Sequence, residues 1–138
     1  MIDRSFIDTN VLVYASIDLQ GERRRTQAIQ LLADSTFEFV ASTQVLNELY
    51  RRLLGNKIPD ADIQRMLFSY ASSMRIVPVD IGTVKLAWIV RNRYGFSIWD
   101  CLILAAALEA NCSVLYTEDL QHGQMIDNKL KIINPFKP

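Results

Sequence analysis

Short apolar runs of strand length alternate along the chain with longer segments whose apolar residues recur every three or four positions. Ser5-Phe6-Ile7 reads as the end of a first strand, and a helix through Val11–Ser16 follows it at once. Arg23–Leu32 has helical periodicity, with Ala28, Ile29, Leu31 and Leu32 expected inward. Phe37–Ala41 alternates with the two-residue period of a strand. Ser42 or Thr43 then caps a helix carrying Val45, Leu46, Leu49 and Leu53, which Gly55 ends. Pro59 suits the first turn of the next helix, with Ile63, Met66, Leu67 and Tyr70. Arg75–Val79 predicts a strand, and Ile81, Val84 and Trp88 share one face of the helix after it. Ser97–Asn111 predicts a further helix, with Ser113–Tyr116 and Lys131–Ile133 as the last strands. Strand–helix alternation without linker, repeat or low-complexity tract predicts one α/β domain over residues 1–138. Its parallel sheet is covered by helices on both faces, and function belongs at the carboxyl ends of the strands.

Composition narrows the chemistry. The chain has 138 residues, half of them hydrophobic, and its 15 basic residues balance its 15 acidic ones. Bulk positive charge therefore attracts no nucleic acid, although a local basic rim still could. Cys101 and Cys112 fall in one predicted helix, about 16 Å apart and beyond the ~7 Å Cα limit for a disulfide. Free buried thiols fit a reducing compartment. Two cysteines and the single His122 argue against structural zinc. The longest apolar run, Leu102–Leu108, is far short of the ~18 residues needed to span a bilayer. Met1-Ile2-Asp3-Arg4 opens no signal peptide, so a soluble cytoplasmic protein is expected.

Four acids fall at positions where this pattern gives them meaning. Asp8 follows the first strand and Asp119 follows Leu115-Tyr116-Thr117. Asp100 lies in the first turn of the most apolar helix, and Glu48 lies in the helix after the second strand. Each has a plain structural use. Asp8 suits a helix cap, Asp119 an Asx turn, and Asp100 a capping box with Ser97. Glu48 suits an i,i+4 pair with Arg52. Their convergence says more, because like charges gather mainly where cations hold them. Oxygen ligands without thiols or imidazoles select hard ions, Mg²⁺ or Mn²⁺ before Zn²⁺. Such a centre in an α/β domain serves phosphoryl chemistry, orienting water and offsetting transition-state charge.

Asp8-Thr9-Asn10-Val11-Leu12, Asn47-Glu48, Trp99-Asp100 and Tyr116-Thr117-Glu118-Asp119 occur in the order and spacing of the PIN-domain ribonucleases. Over nearly its full length the chain resembles a compact bacterial member of the VapC toxin type. Asp119-Leu120-Gln121-His122-Gly123 and Ile133-Asn134-Pro135-Phe136 add to the likeness. The resemblance implies a Mg²⁺- or Mn²⁺-dependent endoribonuclease built on a five-stranded parallel sheet. It implies Asp8, Glu48 and Asp100 as metal-binding and catalytic acids and Asp119 as the more variable fourth, with Glu118 competing for that place. It implies that Thr9 or Asn10, and Thr117, position waters or the phosphate. It also implies RNA as substrate, a small antitoxin that covers the acidic groove, and a homodimer.

Arg23-Arg24-Arg25, Arg51-Arg52 and Arg91 with Arg93 are the candidate phosphate contacts, weighed against solvated surface charge. His122 reads as a loop residue, and Trp88 and Trp99 as core, with the pocket rim as the alternative for Trp99. The segment Pro59–Met74 reads as core packing, with antitoxin contact as its alternative. Rival functions leave their own marks. A haloacid-dehalogenase-like phosphatase needs a second Asp where Asn10 stands. A receiver-like phosphoacceptor needs a Lys after the last strand, and Lys131 precedes it. The five glycines form no phosphate loop. A catalytically silent module whose acids grip a basic peptide is the rival from another class.

Overall fold

A computed structural model describes residues 3–138; the reading of Met1 and Ile2 as part of no leader lies outside the described residues. Strand β1 (Asp3–Ile7) leads into α1 (Thr9–Ser16) and α2 (Arg25–Leu32). Then come β2 (Phe37–Ser42), α3 (Thr43–Gly55) and α4 (Asp60–Ser73). They are followed by β3 (Arg75–Val77), α5 (Ile81–Tyr94) and α6 (Ile98–Glu109). The chain closes with β4 (Val114–Tyr116), β5 (Met125–Ile126) and β6 (Leu130–Ile133).

The strands form one sheet in the order β3-β2-β1-β4-β6-β5. Phe6 of β1 pairs with Val40 of β2 on one side and Leu115 of β4 on the other, and all three are fully buried. The chain steps outward from β1 to β2 and β3, then returns past β1 to β4. Right-handed crossovers place α1–α4 on one face and α5–α6 on the other. The switch in strand order thus falls between β1 and β4, where their carboxyl ends leave a crevice.

Five strands are parallel, as expected, and the structure adds a sixth. The short β5 pairs antiparallel with β6, Ile126 against Leu130. Asp127 and Asn128 make the turn with φ of 50° and 55°, the left-handed region that Asp and Asn tolerate. Tyr94 and Arg93 bind the Asp127 carboxylate at 2.9 and 2.8 Å and fix the turn.

Several helix faces differ from the expectation. In α5 the buried residues are Thr83, Ala87 and Val90, whereas Ile81 and Trp88 are more than half exposed. Small side chains let α5 lie close to the alanine-rich α6, and the bulky stripe turns outward. Trp99 is 65% exposed rather than core, and Ile29 also faces out. Helix α4 buries only Ile63 fully, but Met66, Leu67 and Tyr70 pack half-buried against the core as expected, while Phe68 is presented to solvent. Cys101 and Cys112 are buried and unpaired, and Cys112 lies beyond the end of α6. Among the described residues no helix is long and apolar enough to cross a membrane.

Candidate functional site

At the crevice between β1 and β4, the Asp8 N–H donates to the Tyr116 carbonyl at 3.1 Å, extending the ladder by one step. The buried Asp8 side chain then does two jobs. Oδ1 accepts from the Thr9 N–H at 2.7 Å, starting α1, and Oδ2 accepts from the Thr117 hydroxyl at 2.8 Å. Burial pushes its pKa up to about 6, and the negative charges of Asp119 and Glu48 push the same way. The bonds from Thr9 and Thr117 oppose them.

Asp119 is tied to the same hydroxyl, for its N–H donates to Thr117 Oγ1 at 3.1 Å. Asn10 Nδ2 approaches both Asp119 oxygens at 3.4–3.5 Å. Burial, then Glu118 and Asp100, raise the Asp119 pKa, while Arg52 lowers it. Glu118 turns the other way: Tyr14 and Arg24 donate to its two oxygens, and it does not line the cavity.

Glu48 enters from α3, whose start is fixed by Ser42 Oγ accepting from the Val45 N–H. Thr9 Oγ1 donates to Glu48 Oε2 at 3.2 Å, and Gln44 Nε2 donates to Oε1 at 3.2 Å. The expected Glu48–Arg52 pair does not form among the described residues. Arg52 instead donates to Asn10 Oδ1 at 2.6 Å. Asp100 stands in the first turn of α6, where Ser97 Oγ accepts from its N–H at 3.1 Å. Only that half of a capping box is made, leaving the carboxylate to the cavity.

Asp8, Glu48, Asp100 and Asp119 thus line one cavity of about 130 Å³, together with Thr9, Asn10, Gln44, Arg51, Arg52 and Trp99. Of the three arginine groups only Arg51-Arg52 reaches it. Arg24 pairs with Glu22 and Glu118, Arg25 binds carbonyls of α1, Arg93 pairs with Asp127, and Arg91 binds the Phe96 carbonyl. His122 Nδ1 accepts from the Asn134 N–H and lies outside the cavity. Gln44 was not anticipated. Its place one turn before Glu48 on α3 was the available signal.

Four carboxylates without a thiol or imidazole are the donor set of a hard divalent cation. Among the described residues, no three acidic, histidine or cysteine side chains stand at ligating spacing in this arrangement. Thr9 and Thr117 bind Asp8, Thr9 and Gln44 bind Glu48, and Asn10 approaches Asp119, so neutral donors orient three of the four carboxylates. The acids repel one another, as the raised Asp8 and Asp119 pKa values reflect in part, and a cation among them would offset that repulsion.

The PIN domain family model matches residues 5–125. Among solved structures, a toxin–antitoxin complex from Klebsiella pneumoniae is similar, with a TM-score of 0.71 and 21% identity over 97% of this chain and 99% of the other. The VapC20 toxin of Mycobacterium tuberculosis, described as cleaving the sarcin–ricin loop, aligns with a TM-score of 0.67. It is 20% identical over 83% of this chain and 89% of its own. VapBC2 of Rickettsia felis, solved with a promoter DNA fragment, gives 0.65 at 20% identity, covering 95% and 99%. No curated protein gives a significant match by sequence.

Proposed function

The chain belongs to the PIN-domain family, and from that premise we propose that it is a Mg²⁺- or Mn²⁺-dependent endoribonuclease. We infer that it acts in the cytoplasm as the toxin of a toxin–antitoxin pair, with residues 1–138 as one working domain. The observation that carries this reading is the meeting of Asp8, Glu48, Asp100 and Asp119, from four separate segments, in one cavity at the strand-order switch. These acids would hold the ion, which when bound lowers the pKa of water and offsets charge on the phosphorane-like transition state.

The chain's own residues do the positioning. Thr117 aligns Asp8 and Asp119 through one hydroxyl. Thr9 and Gln44 each bind one oxygen of Glu48 and limit its rotation. Arg51 and Arg52 supply the positive charge that an acidic cavity needs before a polyanion approaches. The apolar groove between α3 and α4, where Phe68 is 75% exposed beside Tyr50 and Leu67, supports a small antitoxin as partner. The outward Ile81, Trp88 and Ile89 of α5 support a homodimer.

The test is cleavage of structured and single-stranded RNA by purified protein with and without EDTA. EDTA-sensitive cleavage that Asp8→Asn and Asp100→Asn abolish, with the fold retained by circular dichroism, is the expected result. Metal-independent cleavage, or full activity in both variants, rejects the assignment. A silent acidic binding module would show no cleavage under any condition.

A further inference from the structure

Trp99 and Arg52 line the cavity from different helices, and among the described residues neither hydrogen-bonds to any of its four acids. Trp99 opens α6 with its indole 65% exposed. The inward positions of that helix are taken by Cys101 and Ile103–Ala107, so the indole has no place in the core. Its backbone is fixed nonetheless, because the Trp99 carbonyl accepts from Gln44 Nε2 of α3 at 3.4 Å. Arg52 comes from α3 and is braced at 2.6 Å by Asn10.

A flat aromatic face and a fixed guanidinium on one cavity match the two parts of a nucleotide. Every base offers a π-face to stack, and a guanidinium binds phosphate with two parallel bonds. We propose that Trp99 and Arg52 are specificity-determining residues of this site. The Trp99 indole stacks on a base beside the scissile phosphate, and the Arg52 guanidinium holds a neighbouring phosphate. The inference rests on the nuclease reading and deepens it. Paired bases are already stacked and hide their faces, so this arrangement favours a strand whose bases are free.

The chain has two tryptophans, and Trp88 does not line the cavity. Trp88→Phe therefore leaves Trp99 as the sole indole reporter. That variant is titrated in calcium buffer with a short mixed-sequence single-stranded oligoribonucleotide, and separately with the same strand annealed to its complement. The single strand should quench Trp99 fluorescence saturably, and the duplex should do so at several-fold higher concentration. Trp99→Ala should weaken single-strand binding about tenfold or more, measured by anisotropy, while Trp99→Phe keeps most of it. Arg52→Ala should keep the quenching but reduce the slope of log affinity against log salt by about 0.7.

Equal quenching by both forms, no quenching, or unchanged affinity in Trp99→Ala overturns the inference. Metal-dependent cleavage by the wild type tests the nuclease reading separately. Quenching without cleavage sinks that reading and leaves the base platform standing; cleavage without quenching does the opposite.

Discussion

At Asp8 the cap of a helix and the candidate ligand of an ion are the same carboxylate, one oxygen serving each neighbour. The sequence left these two uses open as alternatives, and the geometry makes them compatible. The cost shows in its pKa, raised from 3.8 to about 6 mainly by burial. A group whose folded pKa lies above its unfolded value binds its proton more tightly in the native state. Stability of the metal-free protein therefore falls as pH rises from about 4 to about 6, by on the order of 2–3 kcal/mol from this group. Asp8→Asn keeps an oxygen for the Thr9 N–H and offers an amide to the Thr117 hydroxyl. In EDTA at pH 7.5 the variant should be more stable than wild type by about 2 kcal/mol, with the difference vanishing near pH 4. Urea denaturation at the two pH values measures it; equal midpoints at both would show that Asp8 carries no such strain.

Among the elements, capping and register were legible to different degrees. Either Ser42 or Thr43 could have started α3; Ser42 does, while Thr43 Oγ1 accepts from the Val79 N–H and anchors the turn after β3. Ser42→Ala should cost about 1 kcal/mol. Because Glu48 lies in the second turn, the variant should also weaken Mn²⁺ affinity, and isothermal titration separates that loss from the change in Tm. For α5 the apolar spacing was real, but periodicity names a stripe without naming the neighbour that covers it. Packing against α6 selects the small Ala87, and Thr83 is held inward by the bonds of its hydroxyl to Asp80 and to Glu109 of α6, choices that depend on a helix further along the chain. Ala87→Leu should therefore destabilise by about 1–3 kcal/mol through overpacking. Trp88→Ser should change stability by less than about 0.5 kcal/mol. Chemical denaturation that reversed this ranking would return Trp88 to the core.

For the whole molecule, sequence order and spatial order are related by the return of the chain past β1. That one reversal brings residues 8 and 119 to adjacent strand ends, while α3 and α6 deliver Glu48 and Asp100 from opposite faces of the sheet. The alternation of strands and helices predicted a parallel sheet with function at its carboxyl ends, though not the strand order, and that was enough to make the acids legible as a set. Gln44 was not, nor was the bond from Arg52 to Asn10, because both depend on side-chain directions that spacing along one helix leaves open. Arg52 itself is a candidate phosphate contact on sequence grounds. The assembled cavity has a consequence that none of its members has alone. Repulsion among the acids destabilises the folded state, and an ion that binds only the folded cluster relieves it. Saturating Mn²⁺ should therefore raise the Tm of the wild type by several degrees, equivalent to about 2.7 kcal/mol at a hundredfold excess over Kd. Asp8→Asn should start higher in EDTA and respond much less, so that the two curves of Tm against metal concentration cross. Parallel curves would mean that the ion binds elsewhere, and a flat wild-type curve would mean that the cavity does not hold it.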